Sequence, residues 1–237
     1  VSSAANKTVV DGATLGVGTY TVSLAGITNS NYVLAGTQAT TIFTVTPKLL
    51  TISSATIASK VYDGTTTATY GAVPTITAGL INSDVVSLNV GAPVYVSSDA
   101  APGIGITQSL GLTGVSAANY TFVTPTITGT ITAKSVTITS LLTTNHTWGT
   151  SATAPVAALS GVVAGQTLAP TYVVKTAGGV VVTDSATLNA ATYNVTVGSL
   201  NNTNYTLVNP SFTNTLVIAP AVISVTSITV ADHAYGS

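Results

Sequence analysis

The sequence predicts an all-β protein made of small repeated modules, and three observations carry that expectation. Two unrelated motifs recur with one period of about 86 residues. Val, Thr, Ile and Tyr dominate the apolar segments, and β-branched and aromatic side chains fit a pleated, half-buried surface better than a helix. Turn residues interrupt the chain every 8 to 15 residues, with no sustained helical pattern between them.

The first motif is Asn-Tyr, at Asn31-Tyr32, Asn119-Tyr120 and Asn204-Tyr205, spaced 88 and 85 residues. The second is an aromatic residue closed by glycine: Tyr62-Asp63-Gly64, Trp148-Gly149 and Tyr235-Gly236, with the aromatics 86 and 87 apart. Two landmarks in phase mark a tandem array in which each copy is one structural unit. Downstream of Asn-Tyr, Val45–Ile52 aligns with Ile131–Ile138 and with Val217–Val225. The cuts therefore fall before Lys48, Lys134 and Pro220. Residues 1–47 read as the C-terminal part of a module, 48–133 and 134–219 as two complete modules, and 220–237 as the start of another, so the chain reads as a piece of something longer.

Within 1–47, Tyr20, Val22 and Leu24 alternate with Thr19, Thr21 and Ser23, the period-two pattern of a strand with one wet face. In the module 48–133, Asp63-Gly64 is a turn signal, and Ile104–Leu110 occupies the place of that strand one residue out of step. In the module 134–219, Tyr193, Val195 and Val197 repeat the alternation, while Ala177-Gly178-Gly179 and Asn201–Asn204 mark turns. About seven short strands per module point to a small Ig-like β-sandwich, repeated end to end.

The chain is 46% hydrophobic, with a mean hydropathy of +0.56. A spanning helix needs roughly 20 consecutive apolar residues, and the longest apolar stretch, Leu216 to Ile223, is broken by Pro220. No membrane-spanning helix is expected. Only 5% of residues are charged, glutamate and arginine are absent, and the net charge is -1. Nucleic-acid binding, which depends on clustered Lys or Arg, is excluded as an expectation. Little self-repulsion opposes association between copies. Cysteine and methionine are both absent, which removes disulfide chemistry and the two most readily oxidised side chains, and suits an exposed extracellular life.

Catalytic groups are sparse, and no enzymatic activity or cofactor is expected. His146 and His233 sit two residues before the aromatic of their markers, in different modules, and Lys60 takes that place in the other copy. No nucleophile recurs beside them, so they read as polar residues near strand ends. No metal site is expected either: every aspartate is isolated, and Asp63 is better explained by its Asp-Gly turn than by calcium. Six Asn-x-Thr sequons occur, as expected of a chain so rich in Asn and Thr. The marker residues Tyr62, Asp63, Gly64, Trp148, Gly149, Tyr235, Gly236, Tyr32, Tyr120 and Tyr205 are the candidate interaction positions. One ring per module at a fixed place closes a core or seals a junction more often than it stacks on sugar. Trp148 is the position for a glycan test.

Lys60–Ala68, with Ala118-Asn119-Tyr120-Thr121 and Ile131–Lys134 downstream, resembles the YDG repeat of very large bacterial surface proteins. The following copy, with Trp148-Gly149 and Leu159–Gly165, resembles the related MBG type, as does the opening Tyr235-Gly236, although Trp148 stands where the first copy has tyrosine and lacks the adjacent aspartate. The resemblance implies tandem β-modules forming stalks in filamentous-haemagglutinin-like adhesins, on the cell surface or outside the cell. It implies no catalytic residues. The leading expectation is a structural stalk in cell-surface or biofilm attachment, whose partners are the neighbouring modules. The alternatives are a subunit of a self-assembling extracellular filament or sheath, completed by a neighbour's strand, and a glycan-binding module.

Overall fold

The computed structural model describes residues 2–3, 15–23, 29–33, 35–37, 39–81, 83–182 and 188–236. Among them the regular structure is β throughout, apart from the single 3-10 turn Ala117–Asn119. The protein is all-β. The chain divides into two compact units, the first taking residues 1–60, 66–98 and 102–130, the second 61–65, 99–101 and 131–237.

In the first unit, Ser2–Ser3, Gly18–Ser23 and Thr40–Val45 form an antiparallel sheet in that order. Tyr20 lies opposite Phe43 and their rings stack at 5.4 Å. The Tyr20 hydroxyl donates to the Gly16 carbonyl four residues back, at 2.7 Å, tying the entry of the strand to its first buried side chain. A second sheet centres on Lys48–Ile52. Tyr120–Phe122 runs parallel on one side, with Tyr120 level with Lys48, and Ile76–Ala78 runs antiparallel on the other. A third sheet has the order Val94–Tyr95, Ala101–Thr107, Thr128–Thr132, Lys60–Val61. Leu50, Tyr95, Tyr120 and Ile127 supply buried apolar side chains of this unit.

The second unit repeats that central arrangement 86 residues on. Lys134–Leu142 has Tyr205–Leu207 parallel on one side, with Tyr205 level with Lys134, and Val156–Ser160 antiparallel on the other. A five-stranded sheet follows in the order His146–Thr147, Thr213–Ala219, Ala191–Ser199, Thr171–Thr176, Val181–Val182. Tyr193, Val195 and Val197 of its central strand are buried, while Thr192, Asn194 and Thr196 are not, as the alternation in the sequence requires. Val136, Ile138, Leu141, Leu216 and Ile218 are buried with them. At about 25 cal/mol per Å² of apolar area removed from water, these β-branched and aromatic side chains are the main favourable contribution to folding. The Tyr193 hydroxyl donates to the Asn189 carbonyl at 3.0 Å, again four residues back. Ile104 stands near this place in the intervening copy, where no phenol is available to do the same.

One segment departs from the expected pattern. Val217–Val225 aligns in sequence with two stretches that become strands, yet the strand Thr213–Ala219 stops at Pro220, and residues 220–236 carry no strand and are exposed. Proline removes a ladder donor, which accounts for the stop. The strands at Lys48 and Lys134 are each held by a partner that follows an Asn-Tyr pair, and none pairs with 220–225 among the described residues.

Candidate interaction site at the repeat markers

Each Asn-Tyr pair closes a turn in which the tyrosine amide donates to the carbonyl three residues back: Tyr32 to Asn29, Tyr120 to Ala117, Tyr205 to Asn202. Asn and neighbouring small residues favour such turns because their side chains satisfy local backbone groups. The Asn204 amide, for example, donates to Oδ1 of Asn202 at 2.9 Å. Both fully paired copies then use the motif identically. Oδ1 of Asn119 accepts from the Val17 amide at 2.8 Å, and Oδ1 of Asn204 accepts from the Ala100 amide at 2.6 Å, in each case just before or at the entry of a strand. Asn204 is buried, and its Nδ2 donates to Oδ1 of Asp99 at 3.0 Å, so both ends of the amide are used.

The tyrosines of these pairs are fastened by equivalent turns. The Tyr120 hydroxyl accepts from the Ile81 amide at 3.1 Å and donates to Oδ2 of Asp84. The Tyr205 hydroxyl accepts from the Val163 amide at 3.1 Å and donates to Oε1 of Gln166 at 2.6 Å. Asp84 and Gln166 thus hold one position in two copies, each with its own amide bonded to the carbonyl three residues back. Asp84 also accepts from the Ser116 hydroxyl at 3.2 Å.

The aromatic-glycine markers share a backbone state. Gly64, Gly149 and Gly236 have φ of +79°, +84° and +91°, in the region that L side chains avoid. Oδ1 of Asp63 accepts from the Thr65 amide and hydroxyl, both at 2.9 Å, which is the turn chemistry expected of Asp-Gly. The Tyr62 amide donates to the Thr132 carbonyl, and the Trp148 amide to the Ala219 carbonyl, both at 2.8 Å. Here the copies diverge. Tyr62 is buried in the second unit, its ring edge-to-face with Tyr205 at 5.3 Å and its hydroxyl accepting from Nε2 of Gln166 at 2.9 Å. Trp148 is 52% exposed, and Tyr32 and Tyr235 are more exposed still. Tyr62, Tyr120 and Tyr205 are therefore sealed rings, whereas Trp148, Tyr32 and Tyr235 present theirs to solvent.

Asp84, Gln166, Gly79 and Gly161 belong to the site and were not singled out by period. Their signal is a small residue, glycine and two apolar residues, Ala78-Gly79-Leu80-Ile81 and Ser160-Gly161-Val162-Val163, offset by 82 residues rather than 86. Among the described residues no helix is long and apolar enough to cross a membrane, and no three of His, Cys, Asp and Glu come together as metal ligands. His146 lies on the strand beside Ile218, with Nδ1 3.5 Å from the Thr144 carbonyl.

Three tyrosines of the first unit give it a pH dependence. Burial raises the pKa of Tyr70, Tyr95 and Tyr120 above the ordinary 10.0. For Tyr120 the hydrogen bond to Asp84 and that group's charge add to the rise, against the Ile81 amide; for Tyr95 the Thr130 carbonyl opposes it. A phenol held neutral in the folded state but free to ionise when unfolded binds more protons folded, so stability falls as pH rises. The contribution is complete below 10.0 and is lost as pH climbs through the raised values. Denaturant midpoints for the first unit should be level from neutral pH to about 9 and fall beyond 10. Midpoints that stay level to about pH 11 would refute the assignment.

No curated protein and no solved structure matches the chain. Residues 46–129 match a protein family: a YDG domain occupies this stretch, from the lead-in to the strand at Lys48 through the Asn119-Tyr120 pair to Gly129.

Proposed function

We propose that the chain is a stalk segment of a large secreted bacterial adhesin, in which small β-sandwich modules follow one another and carry an adhesive region away from the cell surface or into a biofilm matrix. The observation that supports this most is the reuse of one fastening scheme: Asn119-Tyr120 and Asn204-Tyr205 each pair a strand in parallel with the module's first strand, bond a turn through the phenol, and accept a backbone amide through the asparagine. A unit made to be repeated needs its fastening written into each copy, and stability then comes from each unit and its neighbours. The near absence of charge fits a surface whose properties vary little with salt. The YDG domain is compatible with this role.

Proteins in which residues 48–219 are joined in series two, four and six times should appear by electron microscopy as rods that lengthen by one constant increment per copy, and gold-labelled antibody should decorate the outside of cells that make the parent protein. Compact particles, or label confined to the cell interior, would overturn the proposal.

A further inference from the structure

The turn that ends in Asn204-Tyr205 borders an open cleft of about 710 Å³, lined by Asp99, Asn201, Asn202, Thr203, Thr206 and Leu207 among others. All of these residues belong to the second unit. The turn is fixed by its own side chains. Asn201 stands at φ of +51°, a left-handed state that asparagine tolerates, with its Nδ2 donating to the Ala169 carbonyl at 3.2 Å and its Oδ1 accepting from the Ser199 hydroxyl at 3.3 Å. Oδ1 of Asn202 accepts from the Asn204 amide, which sets the plane of that side chain. Nδ2 of Asn202 and the hydroxyls of Thr203 and Thr206 make no hydrogen bond among the described residues.

The first unit closes the corresponding turn without this chemistry. Asn119 does there what Asn204 does here, yet the residues before it are Ser116, Ala117 and Ala118 in place of Asn201, Asn202 and Thr203. Asp99 precedes the amide that Asn204 holds, whereas Gly16 precedes the amide that Asn119 holds. Closing the turn therefore requires no side-chain amide at 202, no hydroxyl at 203 and no carboxylate at 99. The second unit carries these groups in addition, and all of them line one cleft.

We propose that this cleft binds a neutral saccharide, with Nδ2 of Asn202 donating to a sugar oxygen, the hydroxyls of Thr203 and Thr206 donating and accepting, and the Asp99 carboxylate accepting from sugar hydroxyls. The volume lies within the roughly 300 to 1,000 Å³ of small-molecule sites and is far larger than an ion needs. Calcium draws on several carboxylates, and among the described residues Asp99 is the only charged group of the lining. That charge repels sialic and uronic acids. An apolar ligand would strip water from the amides and hydroxyls and return no hydrogen bond for it. Leu207, partly exposed, supplies an apolar patch for the C–H face of a pyranose ring.

This does not rest on the stalk reading, which needs no ligand and survives if none binds. A handful of exposed hydrogen bonds gives dissociation constants of about a millimolar, so the whole chain is best presented on fluorescent beads, where weak contacts add. On an array of printed glycans the beads should be held by spots ending in neutral hexoses or N-acetylhexosamines and not by sialylated or sulfated ones. Asn202→Ala combined with Thr203→Ala gives the turn the residue types with which the first unit closes its own, at Ala117 and Ala118. This double variant should melt within a few degrees of wild type and lose array binding. Asp99→Asn still accepts from Asn204 and should weaken binding roughly tenfold, as a charge-assisted bond becomes a neutral one; NMR titration with the methyl glycoside of the retained sugar reads the change. Trp148→Ala should leave binding unchanged. A blank array, a preference for acidic glycans, full binding by the double variant, or loss of binding with Trp148→Ala would each overturn the proposal.

Discussion

Replacing Gly161 by alanine should cost the second unit about 3 kcal/mol, summed from a strained backbone and a close contact. Gly161 has φ of +96°, and a Cβ built there lies 2.6 Å from the Ser135 carbonyl oxygen. That oxygen belongs to the strand Lys134–Leu142, which is paired on both sides and cannot retreat without disturbing its neighbours. Two residues further on, the Val163 amide bonds the Tyr205 hydroxyl, so a displaced turn also loosens the phenol and Gln166. Gly165 is the control: its φ is +80° but nothing lies within 4 Å of its Cβ, so alanine there costs only the backbone strain, about 1 kcal/mol. Thermal denaturation of the two variants separates the effects. The Gly161 variant should melt roughly 10 °C or more below wild type, and the Gly165 variant a few degrees below. Equal losses would show that the approach to Ser135 is relieved at no cost. Gly79, with φ of +100° and its Cβ 2.6 Å from the Leu49 carbonyl oxygen, should behave like Gly161 in the first unit.

These glycines also show where the sequence was legible. Alternation names the buried face of Ala191–Ser199 correctly, because Tyr193, Val195 and Val197 sit two apart on a strand whose other face is hydroxyls and amides. The Asn-Tyr period locates the strands that flank Lys48 and Lys134, because both pairings begin level with the tyrosine. Gly79 and Gly161 escape a fixed-period comparison because four residues fewer separate them than separate the two lysines, a length difference that loops absorb at little cost. Asp84 and Gln166 escape because residues of different charge perform one task, accepting from a phenol. Burial of the marker rings was not legible from type either. Tyr62 and Trp148 follow equivalent backbone bonds, yet one ring is covered by Tyr205 and Gln166 and the other is not, and that depends on residues more than a hundred positions downstream of Tyr62. Likewise Val217–Val225 has strand composition throughout, but only the part before Pro220 has a ladder to join.

Tyr95→Ala should destabilise the first unit by about 4 kcal/mol, the cost of deleting a buried aromatic ring. Tyr95 is 2% exposed and is among the largest side chains fully enclosed. Its ring packs over Gly129, with Lys60 Nζ 5.8 Å from the ring centroid, and its hydroxyl donates towards the Thr130 carbonyl at 3.1 Å, with that of Ala58 at 3.4 Å. Tyr95→Phe keeps the ring and should lose about 1 kcal/mol, the net worth of one buried hydrogen bond. The ring can be separated from its surroundings through Gly129. A Cβ on Gly129 lies 2.8 Å from Cε1 and from the hydroxyl oxygen of Tyr95, and 2.9 Å from Cγ2 of Ile57. Gly129→Ala alone should therefore cost about 2 kcal/mol by overpacking. Combined with Tyr95→Ala it should cost much less, since two of the three obstructing atoms are gone and the new methyl fills part of the space. The double-mutant cycle should return a coupling of at least about 1 kcal/mol with the sign of mutual relief. Strict additivity would mean that the tyrosine ring moves aside for the methyl, and that the packing of Tyr95 on Gly129 does not hold the sheets of this unit in place.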